Sequence, residues 1–157
     1  MALDELYKEV ILDHYKSPRN KRGLENPSYT CTRNNPLCGD EIEVDLRVDD
    51  GVVAEATFQG AGCSISQSSA SMMTEAVKGH SISDAEVAVQ RFTQNMSNRT
   101  AAPTEMEEEL DALQGVKRYP ARVKCALLPW TTLRETVDLY RHREPSNEPH
   151  EDCADAP

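Results

Sequence analysis

The sequence has few aromatic residues and no long apolar run. Tyr, Phe and Trp make up 5% of its 157 residues and apolar residues 38%, which leaves room for one domain with a modest core. No stretch approaches the roughly 20 consecutive apolar residues of a membrane span, so no membrane partner is expected. The start, MALDELYKEV, lacks the basic-then-apolar pattern of a secretory leader. A cytoplasmic protein is expected, in a compartment that keeps thiols reduced. The five cysteines, Cys31, Cys38, Cys63, Cys125 and Cys153, therefore read as metal ligands or reactive thiols rather than disulfides.

Bases are missing from two segments. Residues 101–114 and 144–157 each hold five acids and neither lysine nor arginine, which accounts for the net charge of −10. The rest of the chain is balanced. No basic groove for nucleic acid is expected, and both acidic runs read as solvating segments. The expected organisation is a domain over residues 1–143 and an acidic, disordered tail over 144–157.

Periodicity supplies the elements. Leu3, Leu6, Tyr7, Val10, Ile11 and Tyr15 fall at helical spacing, and Ser17-Pro18 closes that helix. His14 reads as a surface residue. A first strand is expected over Tyr29 to Arg33. Ile42, Val44, Leu46 and Val48 alternate, as do Val52, Ala54, Ala56 and Phe58, with Asp49-Asp50-Gly51 as the hairpin turn between them. Helices are expected from Ser64 to Lys78, from a Ser83-Asp84 cap through Met96, and briefly through Met106, Leu110 and Leu113. A last unit runs from Tyr119-Pro120 to Arg143, with Pro129 splitting or kinking it. This order predicts an α+β fold, a small antiparallel sheet with helices packed on one face.

The chemistry gathers around three cysteines and an aspartate. Cys38 precedes the first hairpin strand, and Asp40 lies two residues on, with only a glycine between them. Cys63 sits in a Gly-Ala-Gly-Cys-Ser turn before a helix, where the glycines ease the backbone approach and free N–H groups favour a thiolate. A regular hairpin brings Cys38 and Cys63 to one end of the sheet. Cys125 follows the bases Lys117, Arg118, Arg122 and Lys124. Three thiolates and one carboxylate number the four donors of a tetrahedral Zn²⁺. The spacing does not match a CxxC knuckle, so three unrelated buried cysteines remain the other reading. Cys31 reads as structural and Cys153 as incidental. Arg122 could face the site, pairing with Asp40 or holding an incoming anion.

The stretches 6-LYKEVILDHYKSPRN-20, 35-NPLCGDEI-42, 58-FQGAGCSISQSSASMM-73 and 118-RYPARVKCALLPW-130 resemble the SufU-type members of the IscU/NifU N-terminal family of iron–sulfur assembly proteins. The resemblance covers the chain from the first helix to about Tyr140. It implies a SufE/NifU-like, IscU-like fold and a zinc site of Cys38, Asp40, Cys63 and Cys125, with Cys38 as the sulfur acceptor. It also implies a SufS-type cysteine desulfurase as partner and downstream iron–sulfur assembly machinery as recipient. Lys124 stands where the scaffold branch has histidine, and the 63–125 interval carries an insertion. Both departures favour the zinc-dependent sulfurtransferase over a scaffold that holds iron or a transient 2Fe–2S cluster. A zinc-stabilised interaction module without chemistry is the third alternative, but that role suits a closed four-thiolate site. Asp40 is a harder donor than sulfur, which suits a shell from which Cys38 can be released.

Overall fold

The structure, a computed structural model, describes residues 3–36, 39–97 and 110–142. Helix α1 (Leu3–Lys16) leads to strands β1 (Tyr29–Asn35), β2 (Asp40–Asp49) and β3 (Val52–Ala61). Helices α2 (Ser64–Val77) and α3 (Ile82–Ser97), a 3₁₀ helix (Leu110–Arg118) and α4 (Pro120–Arg141) follow. The expected α+β architecture is found. The strands form one antiparallel sheet in the order β1-β2-β3.

The alternating residues decide which face of the sheet is covered. Ile42, Val44 and Leu46 of β2 are completely buried and share one face, continued by Ala56 and Phe58 of β3. Helices α2 and α4 pack over it. On the opposite face Asp45 is also buried, because the Thr30 hydroxyl donates to Oδ1 at 2.9 Å and the Leu24 N–H donates to Oδ2 at 3.2 Å. The β2–β3 turn places Asp50 and Gly51 at φ 52° and 77°, the left-handed pair that a two-residue hairpin requires. Its register runs from Asp49 opposite Val52 to Glu41 opposite Ala61. The start of β2 and the end of β3 therefore lie side by side.

Three local expectations are corrected. His14 is buried, not a surface residue, and its Nδ1 lies 2.8 Å from the Ser71 hydroxyl. It continues the helical stripe of Val10 and Ile11, whereas Tyr15 is 45% exposed. The cap of α3 is Ser81 rather than Ser83, since the Ser81 hydroxyl accepts from the Asp84 N–H at 3.0 Å. Pro129 does not split the last helix, which runs unbroken from Pro120 to Arg141. Of the short helix expected through Met106, that residue lies outside the described residues, while Leu110 and Leu113 are buried in the 3₁₀ helix. The expected tail, 144–157, also lies outside the described residues.

Tertiary packing explains the unbroken α4. Pro129 has no N–H to donate to the carbonyl four residues back, a local loss that would favour a break. Against it, the Ser69 hydroxyl of α2 donates to the Ala126 carbonyl at 2.7 Å and accepts from Trp130 Nε1 at 3.1 Å. Trp130 is completely buried and stacks on Phe92 of α3, with ring centroids 4.5 Å apart. Ser69 thus fastens α2 to α4 on both sides of Pro129. Replacing Ser69 by alanine strands the Trp130 indole N–H in the core, at a cost of about 1–3 kcal/mol, and removes the bond that the Ala126 carbonyl accepts across to α2. We expect Ser69→Ala to lower unfolding stability by about 2 kcal/mol or more in denaturant titration. A loss below about 0.5 kcal/mol would show that the clamp is not needed.

Candidate metal centre

The sheet register and the α2–α4 contact converge on one point. Asp40 opens β2 opposite Asn35 of β1, and its neighbour Glu41 pairs with Ala61. Two residues beyond Ala61, Cys63 is the N-cap of α2, with extended backbone and no side-chain capping bond. Its thiol therefore stands at the helix N-terminus as expected. The Cys63 N–H donates to Asp40 Oδ1 at 2.7 Å, and Cys63 Sγ lies 3.6 Å from Asp40 Oδ2. Cys125, buried in the second turn of α4, completes the group; its Sγ lies 3.6 Å from the Ala121 carbonyl. The donor atoms of Asp40, Cys63 and Cys125 all lie within 4.8 Å of one another.

This donor set has the chemistry and spacing to hold a metal ion. Zinc–sulfur bonds of about 2.3 Å and zinc–oxygen bonds of about 2.1 Å at tetrahedral angles place the two donors ~3.6 Å apart. The Cys63–Asp40 separation is 3.6 Å. One carboxylate oxygen is taken by a backbone N–H and the other faces sulfur, so the protein orients Asp40 through a neighbouring bond in the way metal ligands are commonly oriented. Cys38, the fourth residue expected at the site, lies outside the described residues.

Two further residues shape the site, Gly62 for a reason the sequence did not suggest and Ser66 without having been singled out. A Cβ at Gly62 would stand 2.4 Å from Asp40 Oδ1 and 2.6 Å from Ser66 Oγ, so the carboxylate fills the space a side chain would need. The glycines before Cys63 were expected to ease the backbone; at Gly62 what counts is the missing Cβ. Ser66 is fully buried, donates to the Cys63 carbonyl at 3.1 Å and lies 3.9 Å from Cys63 Sγ. Its only sequence signal is a hydroxyl one turn after a helix-opening cysteine.

The basic cluster resolves into one participant. The Arg122 guanidinium bonds the Cys125 sulfur and lies near that of Cys63, and the thiolate charges hold it more firmly protonated than usual. Of the two roles expected for Arg122, pairing with Asp40 is not the one this contact shows. Lys117 is buried, while Arg118 and Lys124 are exposed. Cys31 is completely buried, as expected of a structural residue, but it is disulfide-bonded, which corrects the expectation that the cysteines stay unpaired. Cys63 and Cys125 are the free cysteines among the described residues. Cys153 lies outside them.

Comparison with known proteins agrees with this architecture. Residues 6–144 match the model of the NifU-like N terminal domain, and the chain belongs to that family. It is 46% identical to the zinc-dependent sulfurtransferase SufU of Bacillus subtilis, over 86% of this chain and 91% of that protein. It is 36% identical to the iron-sulfur cluster assembly scaffold protein IscU of Thermotoga maritima, over 87% and 96%. Its fold matches the crystal structure of a SUF-system iron-sulfur cluster assembly scaffold protein from Fervidobacterium islandicum with a TM-score of 0.73 and 30% identity, covering 87% of this chain and 99% of that one. The family expected from the four sequence stretches is the one found.

Gly62→Ala tests the orientation of Asp40. The added methyl must displace the carboxylate, and disturbing a ligand's support typically costs 10–100-fold in metal affinity. Titration with Co²⁺, read through its thiolate charge-transfer absorption, should show at least a tenfold weaker site while the far-UV circular dichroism is kept. Unchanged affinity would mean that Asp40 is not a ligand.

Proposed function

We propose that this protein is a zinc-dependent sulfurtransferase that accepts persulfide sulfur from a SufS-type cysteine desulfurase for iron–sulfur cluster assembly. The observation that carries the reading is the convergence of Asp40, Cys63 and Cys125 within 4.8 Å at one end of the sheet. Cys38 supplies the fourth ligand. It is two residues from Asp40, so the chain holds it within about 7 Å of that residue. The 46% identity to a zinc-dependent sulfurtransferase supports zinc. Identity to the scaffold relative is lower, at 36%. The working domain is residues 1–143, with 144–157 an appendage. Among the described residues no helix is long and apolar enough to cross a membrane; the chemistry needs Cys38, Cys63 and Cys125 as thiols, which suits the reducing cytosol, where the disulfide at Cys31 would be open.

The proposed mechanism rests on the chain's own residues. Zinc, when bound, stabilises the cysteines as thiolates at neutral pH. Cys38 is the nucleophile. Its thiolate attacks the outer sulfur of the desulfurase persulfide, a new S–S bond forms at Cys38, and the desulfurase thiolate leaves. No net oxidation occurs and no other reactant is required. Cys63 and Cys125 remain as anchors, Asp40 is kept in place by the Cys63 N–H, and Arg122 offsets the negative charge that gathers at the sulfurs.

The protein as purified should carry one zinc per chain. After incubation with a SufS-type desulfurase and cysteine, mass spectrometry should find one extra sulfur on Cys38. Cys38→Ala, Cys63→Ala and Cys125→Ala should each abolish stimulation of the desulfurase, and Cys153→Ala should leave it nearly intact. Iron with a visible charge-transfer spectrum and no zinc would favour the scaffold instead.

A further inference from the structure

A groove of about 610 Å³ opens directly beside the metal centre, with Cys63 and Arg122 in its lining. Helix α1, the start of α2 and the 3₁₀ helix form its sides. Leu12, Ile65 and Val116 make its walls largely apolar. Two large side chains stand uncovered there, Leu12 at 36% exposure and Tyr119 at 61%. An apolar surface left open on a small protein marks an interaction site more often than chance.

The described charged residues of the groove are opposite in sign to the chain's net charge. The sequence has 27 acids against 17 lysines and arginines. Yet the charged residues lining the groove are Lys8, Arg118 and Arg122, and none of its described lining residues is an acid. Apolar walls with a cationic rim fit an anionic, amphipathic occupant. The protein's own tail, EPSNEPHEDCADAP, has the acids but no large apolar side chain to fill the walls.

We propose that this groove is the docking surface for the desulfurase, and that it receives a segment with one or two large apolar side chains flanked by carboxylates. The inference rests on the sulfurtransferase reading above. It adds where the donor protein is gripped and what kind of segment it presents. The apolar side chains enter between Leu12 and Val116, the carboxylates meet Lys8 and Arg118, and the persulfide is thereby led to the metal centre that Cys63 shares with the groove. Binding in this way sets encounter and affinity, whereas sulfur transfer itself depends on the cysteines.

The test separates docking from chemistry. A purified SufS-type desulfurase with cysteine is titrated with the full-length protein, and the half-saturating concentration is read separately from the turnover at saturation. For the double variant Lys8→Glu, Arg118→Glu, half-saturation should rise about tenfold or more, with turnover at saturation and zinc content unchanged. Raising salt should weaken the wild type more than this variant. Leu12→Asp should produce the same rise without the change in salt response. Unchanged half-saturation in both variants overturns the proposal. So does about tenfold tighter binding when Glu148, Glu151, Asp152 and Asp155 are replaced together by their amides, because the tail would then be the occupant. A dimer in sedimentation that Leu12→Asp disperses overturns it in favour of a second copy. If the wild type gives no stimulation at any concentration, the sulfurtransferase reading itself fails, and the docking proposal falls with it.

Discussion

The buried carboxylate of Asp40 is the constraint around which the rest of the site is arranged. A charge taken out of water must be met by hydrogen bonds, an opposite charge or a metal ion. Here the Cys63 N–H meets one oxygen at 2.7 Å, and the sulfur of the same residue lies near the other. That bond also joins the start of β2 to the start of α2. It can form only because the β2–β3 register sets Glu41 beside Ala61 and because Gly62 leaves room for the carboxylate. The sheet, the turn and the helix N-terminus thus share one requirement.

Cys125 reaches the same point by a different route. It belongs to α4, far away in sequence, and its position depends on how α4 crosses α2. Ser69 determines this by bonding both the Ala126 carbonyl and the Trp130 indole. Ala126 directly follows Cys125, so the clamp acts one residue from the sulfur. The polarity of α2, with Ser66, Ser68, Ser69 and Ser71 all buried, follows from the same logic. Each hydroxyl has a specific partner: Ser66 on the Cys63 carbonyl, Ser68 on Ile11, Ser69 on α4, and Ser71 on His14 and the Arg19 N–H. A helix with this many buried hydroxyls would be costly if any were left unpaired.

Much of this was legible in the sequence. Strict alternation over Ile42–Val48 and Val52–Phe58, with Asp-Gly between them, defines a hairpin. Helical spacing around it defines the helices. Cys63 at the end of that hairpin, and therefore beside Asp40, followed from the geometry of any regular two-stranded turn. The misread features depend on tertiary contacts. His14 counts as polar in any hydrophobic pattern, so its burial could be seen only once Ser71 was placed opposite it. Pro129 reads as a helix breaker until α2 and α3 hold α4 on both sides. Arg122 could be put near the site by its spacing from Cys125, but not assigned to sulfur rather than carboxylate. Gly62 was identified for the wrong reason, because a glycine required for space looks the same in sequence as one required for its backbone angles.

The central claim is that Asp40, Cys63 and Cys125 share one zinc ion with Cys38. X-ray absorption at the zinc K-edge of the purified protein tests it most directly, since it counts donors by element. The account predicts three sulfurs at about 2.3 Å and one oxygen at about 2.0–2.2 Å around a single ion. A shell of four sulfurs, a shell with fewer than three, or the absence of zinc from folded protein would contradict it.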